Sequence, residues 1–169
     1  MFTQHAVAFV VVGGVAAQQW GATRPTKDFD AVVDFGGVNL ARVAEALNAA
    51  GARLRVDGLS DDEARRLAVP IHSDALARIQ ISTWQTDLGA VDVLSHIPDL
   101  DGARLDYETL AERATEIDVD GVIVQVADLA DIIASKRWAD RPKDRDALLE
   151  LDELQHQRDL ATDPGLDID

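Results

Sequence analysis

Two aspartates with one residue between them are the clearest candidates for chemistry in this sequence. Asp28 and Asp30 lie in the segment 27–35, where residue types alternate as in a strand with one apolar and one largely acidic face. Residues i and i+2 of a strand project from the same face, so both carboxylates would point the same way. Such a pair can bind Mg²⁺, and two metal ions can clamp both oxygens of a nucleotidyl transfer. Asp-x-Asp pairs recur at 99–101 and 118–120, so chance is the competing explanation.

A third carboxylate, Asp92, lies in the apolar segment 90–94. A carboxylate inside an apolar strand is costly unless it is paired or bound to a metal ion. If this strand neighbours the first acidic strand, the three carboxylates converge on one site. The alternatives are a structural aspartate with satisfied hydrogen bonds and a position on an edge strand.

Two consecutive glycines, Gly13 and Gly14, follow the apolar run 6–12. This pattern predicts a buried strand that turns tightly into a helix. Glycines at such a turn let the backbone approach a ligand, and a helix N-terminus offers N–H donors to a phosphate. The pair matches neither the G-x-G-x-x-G pattern nor the P-loop, so a plain turn is the alternative.

Cationic residues gather near the C-terminal end of the sequence. Lysine occurs only at positions 27, 136 and 143, and Lys136 and Lys143 share one segment with Arg141 and Asp144. Such side chains can hold a triphosphate as point charges or as bidentate forks. The alternative is a solvated helix face with intrahelical ion pairs.

The order and spacing of these motifs resemble the polymerase-beta-like nucleotidyltransferase superfamily, in which a G-[GS] turn precedes a D-x-[DE] strand. The opening motif is carried by Val11, Val12, Gly13, Gly14, Gly21, Arg24, Thr26, Asp28 and Asp30, and Asp92 matches the third acidic strand. The pattern K-x4-R-x-K-D-x-D at 136–146 resembles the late helical motif of the AbiEii-type nucleotidyltransferase toxins of toxin–antitoxin systems. The resemblance covers roughly residues 6–151.

This resemblance implies an α+β fold: a small mixed β-sheet with flanking helices and a helical C-terminal part. It implies Mg²⁺, with Mn²⁺ as an alternative, and a nucleoside triphosphate. The implied catalytic metal ligands are Asp28, Asp30 and Asp92, and Asp92 would alternatively help to activate the acceptor hydroxyl. The implied nucleotide-binding residues are Gly13, Gly14, Thr26, Lys136, Arg141 and Lys143. Gly14 stands where many active members have serine, which removes one hydroxyl contact to the phosphates.

The implied activity is transfer of a nucleoside monophosphate from the triphosphate to an acceptor hydroxyl. In the toxin relatives the acceptor is RNA, typically tRNA, or a protein side chain, and a cognate antitoxin would be the partner. One alternative is a nucleotidyltransferase that modifies a small molecule such as an aminoglycoside. The other is a catalytically inactive member that binds a nucleotide or a protein partner, which Gly14 would permit.

The length of the chain and the distribution of its motifs indicate how it is organised. We predict a catalytic core at 1–106, a helical part at 107–160 that completes the nucleotide site, and a flexible acidic tail at 161–169.

The absence of cysteine excludes disulfides and thiolate metal sites. The net charge of −15 disfavours a broad RNA-binding face and favours a cationic acceptor. The run 6–12 is too short to span a membrane and lacks signal-peptide flanks, so we expect a cytoplasmic protein with no membrane partner.

The periodicity of the sequence predicts the elements that must position these residues. Strands are expected at 6–12, 27–35, 53–56, 77–83 and 90–94, with a turn near 87–89, and a strand pair or extended segment at 119–126. Helices are expected at 15–20, 40–50, from Ser60 onward, at 107–114 and 128–139, and from 142 to about 154. Asn39 is the expected N-cap of the second helix and Gly51 its end. Ser60 and Glu63 have the spacing of a capping box.

Overall fold

A mixed β-sheet forms the centre of the molecule. The computed structural model describes residues 1–56, 58–59, 63, 66 and 69–162. The helix start predicted at Ser60, Asp61 and Asp62 and the tail at 163–169 lie outside the described residues.

The strands are β1 (Phe9–Val12), β2 (Asp28–Val33), β3 (Arg53–Leu54), β4 (Ile81–Thr86), β5 (Gly89–Leu94), β6 (His96–Pro98), β7 (Arg104–Asp106), β8 (Thr115–Val119) and β9 (Val122–Val126). The helices are α1 (Gly13–Gln19), α2 (Gly37–Ala49), α3 (Ser73–Leu76), α4 (Tyr107–Ala111), α5 (Leu129–Ala139) and α6 (Pro142–Thr162), and a 3-10 turn at Thr3–His5 precedes β1. In the described part of the chain, no helix has both the length and the apolar character needed to cross a membrane.

The main sheet has the strand order β3-β4-β5-β2-β1-β9-β8, and β6 and β7 form a separate two-stranded sheet. Strand β1 runs antiparallel to β2 and parallel to β9, while β2 runs parallel to β5. The sheet is therefore mixed, with helices around it, and the predicted α+β fold is confirmed.

The apolar run before the glycines is a central strand. All four residues of β1 are buried, because the strand lies between β2 and β9 and is covered by helices. A strand buried on both faces has a continuous apolar sequence rather than an alternating one. The strand was predicted at 6–12 but begins at Phe9, because Ala6 ends the preceding 3-10 turn with a left-handed backbone (φ 50°).

The exposure of β2 changes along the strand. Its first half leaves Asp28 and Asp30 partly accessible, whereas residues 31–33 are buried. On the apolar side Phe29 packs edge-to-face with Phe2 and Phe9, with ring centroids 6.2 and 6.3 Å away. This aromatic cluster fixes the start of β2 against β1 and thereby fixes the direction in which the two aspartates point.

The role predicted for Asn39 is wrong. Helix α2 begins at Gly37, so Asn39 lies inside the first turn, and it is 4% exposed. Its Oδ1 accepts from the N–H of Ala8 (2.7 Å), and its Nδ2 donates to the carbonyls of Ala8 (3.0 Å) and Asp34 (2.8 Å). The side chain satisfies buried backbone groups where β1 begins and β2 ends, which is a stronger demand than a helix cap.

Several predicted boundaries move for local reasons. The hairpin of β4 and β5 is confirmed with its turn at 87–89, but β4 starts at Ile81 instead of 77, because helix α3 and its end occupy 73–77. Gly51 follows the C-cap of α2 and has a positive φ of 62°, so the predicted end of this helix is confirmed. The segment 119–126 belongs to a hairpin of β8 and β9 that begins at 115. The hairpin of β6 and β7 was not predicted.

The last helix is longer than predicted, and the C-terminal part of the chain docks on its first third. Helix α4 ends at 111, but α6 continues to 162, so residues 161–162 belong to the helix instead of a tail. The indole of Trp20 donates to the carbonyl of Ala127 (2.8 Å), and the guanidinium of Arg158 lies over its ring at 4.1 Å. The division of the chain at residue 106 stays a prediction, and β8 and β9 from beyond it pair into the main sheet.

We expect Asn39→Ala to lower the free energy of unfolding by about 2–4 kcal/mol, because it leaves buried backbone groups of Ala8 and Asp34 without partners. Urea unfolding monitored by circular dichroism measures this loss. The control is Glu45→Ala at an exposed position of the same helix. Equal stability of the two variants would contradict the structural role of Asn39.

Candidate functional site

A cavity of about 680 Å³ opens where β1 ends in α1, and it contains all nine residues that the sequence singled out. Its lining includes Gly13, Gly14, Thr26, Asp28, Asp30, Asp92, Lys136, Arg141 and Lys143. Lys27 lines it as well, so all three lysines of the chain face this one cavity. The fold thus brings the predicted residues together, while the role of each stays a prediction.

The pairing of β2 with β5 sets two carboxylates side by side. In the parallel register, Asp30 is the direct partner of Asp92, and Asp28 is the partner of Ala90. Burial, the neighbouring charge of Asp92 and a hydrogen bond to Asp92 raise the pKa of Asp30 from 3.8 to about 6. The Oδ1 atom of Asp92 is buried and has no hydrogen-bond partner among the described residues. Such an atom is costly unless something binds it.

The glycine turn gives Asp30 its place. Gly13 has a positive φ of 66°, and a Cβ added to it would lie 2.7 Å from Cγ of Asp30, so only glycine fits there. The backbone N–H of Gly14 points at the same carboxylate and opposes the rise of its pKa. In this structure the turn therefore serves the carboxylate directly.

Thr26 occupies the space beside the second glycine. A Cβ added to Gly14 would lie 2.6 Å from Oγ1 of Thr26 and 2.8 Å from its Cβ. The Thr26 hydroxyl donates to the carbonyl of Asp28 at 3.3 Å. The chain thus carries a hydroxyl at this point of the cavity, and residue 26 supplies it.

A buried aspartate on α6 holds two of the cations that line the cavity. Asp144 is 1% exposed, and it lies 3.6 Å from Nζ of Lys136. Its carboxylate accepts from Nε of Arg141 at 2.5 Å and from Nη2 at 3.3 Å. Burial would raise the pKa of Asp144, but the Arg141 hydrogen bond and the surrounding positive charges hold it below its usual range. The sequence placed Asp144 among these cations without a role, because its burial cannot be read from the sequence.

The loop before β2 also lines the cavity, and helix α6 holds this loop in place. Glu150 of α6 accepts from the N–H of Thr23 (2.7 Å) and from its hydroxyl (2.8 Å), and Arg24 lies 3.7 Å from Asp146. These contacts tie residues 20–27 to helix α6, so the lining of the cavity depends on both ends of the chain. The sequence did not predict this docking.

The sequence also missed His96, which lines the cavity from β6. It stands four positions after Asp92, and therefore at the spacing of one strand face, which is the signal that could have found it. Ser95 Oγ lies 2.8 Å from its Nδ1 atom.

Asp30 and Asp92 have the properties of divalent-cation ligands. The raised pKa of Asp30 and the unpartnered buried oxygen of Asp92 form an environment that a hard cation would stabilise. Among the described residues, no group of three or more His, Cys, Asp or Glu side chains is arranged to hold a metal ion. Asp28 therefore does not join the other two in a closed cage, and its predicted role as a third ligand stays a prediction.

We expect Asp30→Asn to stabilise the fold at alkaline pH. The pKa of Asp30 is raised in the folded state, so its ionisation opposes folding as the pH rises through about 6. Removing the charge should raise the free energy of unfolding by about 3 kcal/mol at pH 8 and by little below pH 4. Urea unfolding at several pH values, with a chelator present, measures this; the exposed Asp101→Asn is the control. A loss of stability at pH 8 would contradict it.

We expect Gly14→Ala to destabilise the fold by about 1–3 kcal/mol, because the added Cβ meets Thr26. The double variant Gly14→Ala/Thr26→Gly should be less destabilised than the sum of the single changes, by about 1 kcal/mol. Gly37→Ala is the control, since a Cβ there meets nothing within 4 Å. Strict additivity in this cycle would rule out the contact.

The comparison with protein families agrees with the geometry of this cavity. The family model described as "Nucleotidyl transferase AbiEii toxin, Type IV TA system" matches residues 1–160. A comparison with curated proteins found no match. The family match covers the described fold up to residue 160 and includes all nine residues of the cavity that the sequence had singled out. The chain therefore belongs to the AbiEii nucleotidyltransferase toxin family of Type IV toxin–antitoxin systems.

Proposed function

We propose that this chain transfers a nucleoside monophosphate from a nucleoside triphosphate to an acceptor hydroxyl and acts as the toxin of a toxin–antitoxin pair. The observation that carries the proposal is one cavity lined both by carboxylates on adjacent strands and by cations that a buried aspartate holds. The first group suits a divalent cation, and the second suits the triphosphate.

The cations are prepared for an anion. Lys136 and Arg141 are held by one buried carboxylate, so little side-chain freedom is lost when a phosphate replaces water around them. Lys143 and Lys27 add charge at the same cavity. In a chain of net charge −15, this local cluster is what would draw a triphosphate to the site.

The carboxylates are the proposed metal ligands. Asp30 and Asp92, with Asp28, would hold Mg²⁺, and Mn²⁺ is the alternative. The bound metal would neutralise triphosphate charge and lower the pKa of the acceptor hydroxyl. Ligation requires the ionised carboxylates, so the raised pKa of Asp30 predicts weaker metal binding as the pH falls through about 6.

Different residues of the cavity would act on different groups during the transfer. The acceptor oxygen forms a bond to the α-phosphorus, and the bond from that phosphorus to the oxygen bridging to the β-phosphate breaks. Lys136 and Arg141 hold the departing pyrophosphate. In the alternative to its role as a metal ligand, Asp92 would accept the proton of the hydroxyl and pass it to solvent. Holding the two reactants in line supplies a large part of such a rate acceleration.

The acceptor is the open part of the proposal. An RNA, typically tRNA, or a protein side chain is the acceptor that suits a toxin, with a cognate antitoxin as partner and the cytoplasm as the place of action. The net charge of −15 instead favours a small cationic molecule such as an aminoglycoside.

The inactive alternative rests on Gly14. Thr26 weakens it, because its Oγ1 lies 2.6 Å from the point where a side chain at residue 14 would begin. A hydroxyl is thus available at that part of the cavity, and we propose that it contacts the phosphates.

The decisive experiment incubates the protein and Mg²⁺ with each of four α-labelled nucleoside triphosphates and either total cellular RNA, an aminoglycoside or a protein extract. We expect label on one acceptor class and release of pyrophosphate. Calorimetry with Mg²⁺ and the same triphosphates accompanies the assay. Binding without label in any arm would support the inactive alternative, and absence of binding would contradict nucleotide binding altogether.

We expect Asp28→Asn, Asp30→Asn and Asp92→Asn each to lower label transfer by at least about 10³-fold, because each removes a charge that a metal ligand requires. The circular dichroism spectra should match the unaltered chain. Asp101→Asn, an exposed aspartate outside the cavity, should retain full activity. Full activity in the Asp30 and Asp92 variants would refute the metal assignment.

A further inference from the structure

The cavity has an uncharged wall that the proposed function leaves without a role. Strands β4, β5 and β6 contribute Ile81, Leu94, His96, Ile97 and Pro98 to the lining. The cations come from elsewhere, namely from the loop before β2 and from helices α5 and α6. The carboxylates of β2 and β5 line the same cavity as the cations and this uncharged wall.

Ile81 and Leu94 form an apolar surface on this wall. Ile81 and Leu94 are direct partners across β4 and β5, and Leu94 shares the strand face of Asp92. Ile81 is 58% exposed although it is a large aliphatic residue inside a cavity. An exposed apolar contact surface beside charged groups is suited to an uncharged part of a ligand.

His96 lines the cavity beside these residues, and one of its two ring nitrogens has a hydrogen-bond partner. Its Nδ1 atom lies 2.8 Å from Oγ of Ser95, which is 7% exposed and accepts from Nη2 of Arg104 at 3.3 Å. No described residue makes a hydrogen bond to Nε2. The ring is therefore held through Nδ1 by Ser95, immediately before the β6–β7 hairpin, while its other nitrogen is available to a ligand.

The surroundings keep the imidazole neutral. Burial and the charge of Arg104 lower the pKa of His96, and only Asp106 acts in the opposite direction. The carboxylate of Asp106 accepts from the N–H of Thr109 (3.1 Å) and from its hydroxyl (2.8 Å), so it serves as the cap of α4. A neutral imidazole offers Nε2 as a donor or an acceptor, depending on the tautomer.

We propose that His96 is a catalytic residue that binds the acceptor: its Nε2 makes a hydrogen bond to the acceptor molecule, whose uncharged part rests on Ile81 and Leu94. Ser95 and Arg104 are positioning residues that hold the ring. The ligand class is an acceptor that carries an uncharged, partly apolar group next to its reactive hydroxyl. This inference rests on the proposed function, because a triphosphate on the cations of α5 and α6 leaves this wall to the second substrate.

The test separates the acceptor from the nucleotide. The variants are His96→Ala, His96→Gln, which keeps a polar group near the position of Nε2, and Ser95→Ala, with His156→Ala at an exposed position of α6 as the control. Calorimetry measures the Kd of a non-hydrolysable triphosphate with Mg²⁺. Label transfer at varied concentrations of total cellular RNA, or of the aminoglycoside if that is the molecule labelled, gives kcat and KM for the acceptor.

We expect His96→Ala to leave the nucleotide Kd within about twofold and to lower kcat/KM for the acceptor about tenfold or more, as expected for one lost hydrogen bond in a buried site. His96→Gln should recover most of this loss, Ser95→Ala should lose part of it, and His156→Ala should lose none. Unfolding curves exclude misfolding of each variant.

Three outcomes would overturn the inference. Unchanged acceptor kinetics in His96→Ala would show that the imidazole does not touch the acceptor, with the proposed function intact. A weaker nucleotide Kd in the same variant would assign His96 to the triphosphate. An unaltered chain that binds no Mg²⁺–triphosphate, or that transfers no label to any acceptor, would remove the proposed function and this inference together.

Discussion

The parallel pairing of β2 with β5 determines where the charged groups of this protein meet. It holds the carboxylates of Asp30 and Asp92 side by side, and the strain of that arrangement appears as a pKa near 6 for Asp30 and an unpartnered oxygen on Asp92. Two like charges in a partly buried site oppose folding. The fully apolar β1, paired directly with β2, supplies burial that offsets this cost. Sites that lower stability in this way are characteristic of function.

The opposite charge arrives from the other end of the sequence. Asp144 is buried and gathers Lys136 and Arg141 on helices α5 and α6, more than a hundred residues after the first carboxylates. Contacts of α6 with the loop before β2 then bring both groups to one cavity. The cavity consequently combines acidic and basic groups in a chain that is strongly acidic as a whole. Local charge, and not net charge, decides which anion such a site can attract.

Close contacts within this site also constrain which residues can change. Gly13 leaves space for Asp30, and Gly14 leaves space for Thr26, so each glycine is matched to one partner on or just before β2. The absence of a serine hydroxyl at residue 14 is therefore accompanied by a threonine hydroxyl at the same point. The wall formed by β4, β5 and β6 has no charged side chain in the cavity apart from Asp92, which gives the site two chemically different sides.

Local sequence patterns were enough to predict four features: the buried strand before the glycines, the two aspartates on one strand face, the hairpin that carries Asp92 and the helices of the C-terminal part. These follow from periodicity and turn residues, which act over a few positions. The sequence also identified nine of the residues that line the cavity, because their types and order form a motif. Only the tertiary structure decided that Asn39 braces two strands rather than capping a helix, that Asp144 is buried between cations and that His96 faces the site. Those outcomes depend on contacts between residues far apart in the chain, and spacing along the sequence carries no measure of burial or of hydrogen-bond demand.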